Sequence, residues 1–392
     1  MNPFLSRSWL EAWKQTSAVG HSLLFFEAGE TFGVVTLSSA FRIYANGGIN
    51  KTNLMDSSRG GELLTMVTTR LHRGVLLVFD VPQSGHLARV FGQLGARYVP
   101  QYPAPLIRLE PSFQRYTERQ FSSSHRREFA RCLRRLEAMG HLQFRVYERR
   151  EDRSEALPLL DRFFALLTER FEEDKRQYNF YVTSHGQDFI RNVVTDLLGA
   201  GVILFVWTLD GVPISFSLCY VVDKRLIYVV PAYDSAFSKC GLGLLHLWKT
   251  VAWSFDHGFE ILDLSKGTAP YKHLWANDST WLSLYILPLS PSTRDLAVAK
   301  LLHIAFRVVS GLRRHGVSTT LKRVRFKLAP LFQLRSVAVG RSARATDRQT
   351  PESSTPGVRM HYPDLADQCL DVRRRAVDAA FHAASGRVTS SR

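Results

Sequence analysis

At 392 residues the chain is long enough for two or three domains, and 45% hydrophobic with 22% charged residues excludes a disordered or fibrous chain. A formal net charge of +16 points to phosphate-bearing, nucleic-acid or anionic-lipid partners. Cys132, Cys219, Cys240 and Cys369 lack CxxC spacing, which excludes a zinc cage and a secreted disulfide framework, and no window reaches the roughly 20 apolar residues that span a bilayer. A cytoplasmic location is expected, with room for peripheral attachment at the inner face of the membrane.

In chain order, LLFFEA and TFGVVTL between Ser22 and Tyr44 are separated by Ala-Gly-Glu and predict a hairpin. A helix from about Gly61 to Leu71 leads into GVLLVFDVP, a buried strand, then a short helix to Gly95 and a strand near Pro105 to Leu109. SSSHRREFARCLRRLEAMG, from Ser122 to Gly140, repeats Phe129, Cys132, Leu133, Leu136 and Met139 at three and four residues. A serine-rich cap precedes it and a glycine ends it, which predicts one basic amphipathic helix. The strand LQFRVYE follows, then a helical period from Pro158 to Phe171 through Leu160, Phe163, Phe164 and Leu167.

A helix at about 185–199 precedes three apolar runs joined by Asp210-Gly211 and Asp223-Lys224-Arg225, the pattern of an antiparallel meander. SKCGLG opens a helix from Gly241 to His257 with Leu244, Leu247, Trp248, Val251, Ala252 and Phe255 on one face. The strand FEILDLS, a short polar segment and the strand TWLSLYILP close the series. The fold class expected is α/β (α+β) with mixed, mostly antiparallel sheets. A helical pattern from Arg294 to Leu312 and a basic stretch to Leu331 form an appended element. From Val339 onward a Ser, Thr, Arg and Pro-rich composition predicts a largely disordered tail with a weak helix near Ala366 to Ala384.

The charge is localised. Residues 115–153 hold 11 Arg and Lys against 6 acids, and 294–335 hold 10 against 1, so two basic segments flank the span 150–290. Arg126, Arg127, Arg131, Arg134 and Arg135 of the first segment either form a solvated helix face or track an anionic polymer. The Arg294–Arg314 helix is apolar on one side with cations around it, which suits docking on the protein itself or on a membrane surface.

Two segments carry chemistry. In SKCGLG, glycines let backbone N–H groups approach an anion at the start of a helix, whose N-terminus is partially positive; the alternative is an ordinary tight turn. In DLSKGTAPYKHLW, Asp263, Lys266, Tyr271, Lys272 and His273 follow the end of a strand, where rigidly held side chains meet a cleft; otherwise Asp263 caps the segment and the lysines are solvated. The 13 histidines show no metal spacing, and His246 on an apolar helix face reads as a core or rim residue. No Walker GxxxxGK[ST] and no GxSxG elbow occurs, so nucleotide hydrolysis and serine-esterase chemistry have no support.

This order of elements, and most specifically DLSKGTAPYKHLW, resembles the CelD/BcsL-like acetyltransferases of the GNAT superfamily over about residues 1–290, proteins associated with cellulose and other exopolysaccharide production. It is also similar to the Fem-type peptidyltransferases, which pair two GNAT-like units and take amino acids from aminoacyl-tRNA. The resemblance implies tandem GNAT-like domains: a degenerate unit over 1–115, a basic linker helix and strand over 116–149, an acyltransferase domain over 150–290, a basic helical extension over 291–335 and the tail over 336–392. It implies acyl-CoA, acetyl-CoA foremost, as donor substrate, held by Tyr233, Ser238, Lys239, Gly241, Leu242 and Gly243, with Asp263, Lys272 and Tyr271 as catalytic residues and no metal. The superfamily's donor loop reads [QR]xxGx[GA], and Ser238 stands here in place of Gln or Arg. The partners implied are a carbohydrate or envelope-precursor acceptor, with an anionic membrane or a polysaccharide synthase as docking partner. The Fem likeness carries charged tRNA as the alternative donor, and a catalytically silent scaffold for exopolysaccharide machinery is a further alternative.

Overall fold

Eleven strands and ten α-helices form in the computed structural model, which describes residues 2–17, 22–48, 59–83, 85–173, 180–267 and 269–314. In order these are α1 (Arg7–Ser17), β1 (Leu23–Glu27), β2 (Thr31–Ser38), β3 (Ile43–Asn46), α2 (Gly60–Arg70), β4 (Val75–Pro82), α3 (His86–Gln93) and β5 (Arg97–Arg108). Next come α4 (Phe113–Gln120), α5 (Ser123–Glu137), β6 (Leu142–Tyr147), α6 (Arg153–Glu173), α7 (Ser184–Leu197), β7 (Val202–Leu209), β8 (Val212–Val222) and β9 (Arg225–Tyr233). A 3-10 turn, Ser235–Cys240, leads into α8 (Leu242–Asp256), then β10 (Ile261–Asp263), α9 (Pro270–Trp275), β11 (Asp278–Pro288) and α10 (Thr293–Arg314). The basic stretch beyond α10, the tail and its Ala366–Ala384 helix lie outside the described residues.

All eleven strands join one sheet in the order β1-β2-β3-β4-β11-β5-β10-β9-β8-β7-β6. Only β3–β4 and β9–β10 pair in parallel; the other eight neighbours are antiparallel, so the sheet is mixed and mostly antiparallel as the turn spacing predicts. The two halves repeat one plan, a meander, a helix, a parallel strand, a short helix and a last strand. Each last strand is exchanged: β11 pairs with β4, β5 pairs with β10, and the two pair with each other at the centre.

Three elements differ from the sequence pattern for identifiable reasons. Strand β5 begins at Arg97 rather than near Pro105, because Pro100, Pro103 and Pro105 mask it. A one-residue bulge at Gln101 puts the three prolines opposite Ser283, Trp281 and Ser279, in one phase, and β10 pairs only with Leu106–Arg108, so the missing N–H groups face no strand partner. Strand β10 is cut to three residues because the backbone turns at Ser265, where φ is +60°. Helix α6 starts at Arg153, ahead of Pro158, which falls in the second turn and forfeits one backbone hydrogen bond, to the Ser154 carbonyl, a loss that burial of Ala156, Leu160 and Phe163 offsets.

Two apolar cores sit on the sheet. The larger runs through both halves and takes in α1, α2, α6, α7 and α10; Trp9 of α1 meets Phe189 of α7 edge-on with ring centroids 5.4 Å apart. The smaller lies under α4, α5, α8 and α9, where Phe121, Phe129, Trp248 and Trp275 interlock. Ser122 caps α5 as expected, its Oγ accepting from the His125 N–H at 3.3 Å.

Candidate functional site

Parallel pairing between β9 and β10 lasts three residues, to Ile227 opposite Asp263, while β9 runs on for six more to Tyr233. The strands therefore part within the second half of the sheet, and the gap is flanked by the Ser235–Cys240 turn and the segment 264–275. Ser265 Oγ donates to the Tyr228 carbonyl at 2.8 Å at the point of separation. The related pair in the first half also stops after three residues, Ala45 opposite Leu77. There the Asn46 side chain laces the strands, its Oδ1 accepting from the Phe79 N–H at 3.0 Å and its Nδ2 donating to the Phe79 carbonyl at 3.4 Å.

Gly241 takes φ +64°, a left-handed conformation that lets the 3-10 turn pass directly into α8. Its N–H donates to the Ser238 carbonyl at 2.9 Å, and the N–H groups of Leu242 and Gly243 follow in the first turn of α8, the turn whose donors have no acceptor within the helix itself. Gly243 faces the Tyr233 ring, and a Cβ there would lie 2.9 Å from Cε1. Ser238 and Lys239 are exposed, and the Leu242 side chain is fully buried in the smaller core, leaving only its backbone to the site. Helix α5 closes the outer side: a Cβ on Gly241 would sit 3.5 Å from Cys132 Sγ.

Arg170 of α6 completes this group. It donates to the Pro231 carbonyl at 3.1 Å and lies 4.8 Å from the Tyr233 ring centroid, within cation–π range. Tyr271 shares the neighbourhood: burial pushes its phenol up to about 12, the Arg170 cation works against this and Tyr233 adds to it. Tyr271 is thus a neutral hydroxyl at physiological pH.

A second group follows Asp263. Its carboxylate is fully buried, accepts from the Ser265 N–H at 2.7 Å and stands 3.7 Å from an Arg225 guanidinium nitrogen. Lys272 is also buried, and its ammonium donates to the carbonyls of Lys266 at 2.8 Å and Ser265 at 3.2 Å, which leaves one of its three N–H groups for another oxygen. Burial brings the Lys272 pKa down to about 8, Asp263 offsets part of this, and the Lys266 cation adds to it. Lys272 is therefore charged at neutral pH but titrates within reach of it.

The first half supplies two side chains that the sequence pattern left unassigned. Lys266 lies 3.2 Å from Asp80 of β4 and 3.3 Å from the Tyr102 hydroxyl of β5, which itself donates to Asp80. Burial works against the Lys266 charge, but Asp80 and Tyr102 outweigh it and hold the ammonium above its ordinary range. Asp80 is the extra residue of a β4 bulge, between Val81 opposite Ser283 and Val78 opposite Tyr285, and holds φ +62°. A lone carboxylate inside GVLLVFDVP was the available signal for Asp80. For Arg170 the signal was a cation in phase with Phe163 and Leu167 on the apolar face of α6. The exposed ring of His273 stands apart from both groups in the hydrogen bonding of the described residues.

His246 is a core residue, as its apolar helix face suggests. Its imidazole bridges Ser215 Oγ, 2.8 Å from Nδ1, and Ser217 Oγ, 2.9 Å from Nε2, and burial lowers its pKa to about 3. Ser215 also donates to the Ala232 carbonyl at 3.2 Å, so its one proton is used and Nδ1 carries the imidazole hydrogen. Nε2 then accepts from Ser217, which accepts from Cys219. This chain pins α8 to β8 and β9 beside Tyr233. Among the described residues no cluster of three or more His, Cys, Asp or Glu could hold a metal ion.

Residues 123–273 match the family model of the acetyltransferase (GNAT) domain. A comparison with curated proteins returns no match. Among solved structures, FemX is similar over 76% of this chain and 93% of that chain, at 12% identity and a TM-score of 0.50. L-PGS from Bacillus licheniformis is similar over 75% and 96%, at 10% identity and a TM-score of 0.48. A tandem GNAT protein from the clavulanic acid biosynthesis pathway is similar over 73% and 88%, at 10% identity and a TM-score of 0.37. Residues 123–273 thus carry an acetyltransferase (GNAT) domain, within a fold whose two halves repeat one plan and share one sheet.

Proposed function

We propose that the protein is an acyltransferase that moves an acyl group from acyl-CoA to the amine or hydroxyl of a sugar or other envelope precursor. The observation that carries this reading is the parting of β9 and β10 beyond Ile227 and Asp263, with the Gly241–Gly243 turn on one side and Tyr271 and Lys272 on the other. In the proposed complex the donor's pyrophosphate meets the N–H groups of Leu242 and Gly243, and exposed Lys239 supplies the cation that Ser238 does not. The acceptor attacks the thioester carbonyl directly, so positioning and charge stabilisation provide the rate. Lys272 offers its remaining N–H to the developing oxyanion, Tyr271 stands as a neutral proton donor for the leaving thiolate and regains its proton from the one the acceptor amine or hydroxyl gives up, and buried Asp263 orients the acceptor-side segment through Ser265. The Asn46 lacing supports a first half without a donor site of its own.

Titration calorimetry of the purified protein with acetyl-CoA and longer acyl-CoAs tests the proposal. Saturable binding is expected, weakened by Gly243→Ala. Failure of every acyl-CoA to bind, with binding of charged tRNA, would overturn it in favour of aminoacyl transfer.

That second reading has one specific observation behind it. Helix α5 packs its Cys132 face against the donor turn while Arg127, Arg134 and Arg135 stay exposed beside it. Under this reading the helix tracks the tRNA backbone, and binding weakens steeply with salt.

A further inference from the structure

Helix α10 has two apolar faces, and the fold uses one. Val298, Ala299, Leu302 and Phe306 are buried in the larger core, and Ser310 Oγ donates to the Pro100 carbonyl at 2.6 Å. Leu296, Ile304, Val308 and Leu312 form a line at four-residue steps on the opposite side, and between 41% and 56% of each is exposed. Of the ten large apolar side chains exposed among the described residues, four belong to this line, and a fifth, Tyr98, lies beside the helix, its carbonyl 3.2 Å from His303 Nε2. Such a concentration marks an interaction surface, where scattered exposed apolar residues would not.

The charge around the line identifies its occupant. Lys300 falls in the gap of the line between Leu296 and Ile304, and Arg307 adjoins Val308; both are exposed. Arg97 and Arg307 lie close enough to His303 to help lower its pKa, after burial. The sequence from 294 to 335 continues the pattern, with ten Lys and Arg against the single acid Asp295, which is buried and committed to the Gly74 N–H at 2.7 Å. The chain's own residues 336–392 carry nine Arg and six acids, a net positive charge that is not complementary to this face. An apolar line with long cationic side chains beside it matches the headgroup boundary of an anionic bilayer: apolar tips enter the acyl region while Lys and Arg reach the phosphates.

We infer that the exposed face of α10, led by Ile304 and Val308 and flanked by Lys300, Arg307 and Arg97, docks the protein on an anionic lipid surface. The inference does not depend on the acyltransferase reading. Among the described residues no helix is long and apolar enough to cross a membrane, and the surface described here lies on a bilayer rather than through it.

Co-sedimentation of the full-length protein with phosphatidylcholine vesicles, with and without phosphatidylglycerol, is the test. Binding is expected only with phosphatidylglycerol, weakening as salt rises. The double variant Ile304→Glu/Val308→Glu should keep the thermal unfolding midpoint, since both side chains face solvent, and lose vesicle affinity by at least about tenfold. Lys300→Gln/Arg307→Gln should weaken binding to anionic vesicles without exposing new apolar surface. The inference is overturned if anionic vesicles do not bind, or if the double variant binds them unchanged, which would place the contact elsewhere in the basic segment. It is equally overturned if lipid-free protein sediments as a dimer that the double variant dissociates, or if a photo-crosslinking residue at position 308 couples to residues 336–392 without lipid.

Discussion

The Lys266 ammonium reaches across the exchanged strands to Asp80, 3.2 Å away, so a loop of the acetyltransferase half is tied to a carboxylate of the other half. Asp80 is buried while about a third of the Lys266 side chain is exposed, and Tyr102 bridges the pair through its hydroxyl. Asp80→Ala removes the counter-charge and strands a partly buried ammonium, a loss of about 3 kcal/mol. Because Asp80 holds φ +62°, Asp80→Gly relieves backbone strain and should cost less than Asp80→Ala by about 1 kcal/mol. Asp80→Ala/Lys266→Met should recover part of the loss. Urea unfolding of the parent, Asp80→Ala, Lys266→Met and the double variant gives the coupling, and strictly additive losses would show that the pair does not interact.

Gly243 makes the turn into α8 sensitive to a single methyl group. A Cβ there would lie 2.9 Å from the Tyr233 ring, which is itself held under Arg170. Gly243→Ala is expected to push Tyr233 out of position, at a cost of about 1 to 2 kcal/mol in stability. Under the acyl-CoA reading it should also weaken acetyl-CoA binding by about tenfold or more. Combining it with Tyr233→Leu, which removes the ring edge the methyl meets, should restore most of the lost stability. Calorimetric titration and thermal melts of the single and double variants read both effects.

The buried Ser215–His246–Ser217 chain gives the fold an acid limit. The folded-state pKa of His246 is lowered to about 3, below its ordinary 6.5, so the unfolded chain binds this proton first as pH falls. The contribution of neutral His246 is complete above pH 6.5 and is lost progressively toward pH 3, by about 2 kcal/mol between pH 7 and pH 5. His246→Gln should flatten this part of the stability profile. Ser217→Ala, which leaves Nε2 without its donor, should cost about 1 to 3 kcal/mol at neutral pH. Urea denaturation of the three proteins at a series of pH values measures both.

The sequence made the elements readable because period and turn chemistry agree along most of the chain. The Asp210-Gly211 and Asp223-Lys224-Arg225 turns mark β7, β8 and β9, and the Ser122 cap marks α5. The strand exchange was not readable, because each half's apolar pattern is satisfied equally by its own last strand or by the other's. The prolines of β5 hid the strand that makes the exchange. The same limit applies to the site. Asp263, Tyr271 and Lys272 are adjacent in sequence and were visible as a group. Asp80, Tyr102 and Arg170 reach the same region from three other elements, and each appeared only as a polar residue out of place in an apolar pattern.

Lys272 separates stability from binding by sign. Burial brings its pKa down to about 8 from an ordinary 10.5, so the unfolded chain holds this proton where the folded protein has released it. Stability should therefore rise as pH increases from about 8 to 10.5, by up to roughly 3 kcal/mol from this group. Lys272→Met, which cannot titrate, should lack the rise and be no less stable than the parent near pH 7, where the parent holds a buried charge. The proposed anion-binding role has the opposite dependence, because the Nζ–H group offered to a substrate oxygen loses its charge over the same range. Acetyl-CoA binding, or transfer once an acceptor is in hand, should fall above pH 8 in the parent and not in Lys272→Arg, whose guanidinium stays charged. Urea melts and calorimetric titrations across pH 7 to 10 test the two signs together. Parallel behaviour of stability and binding would restrict Lys272 to holding the Ser265 and Lys266 carbonyls, and the oxyanion role would pass to another donor.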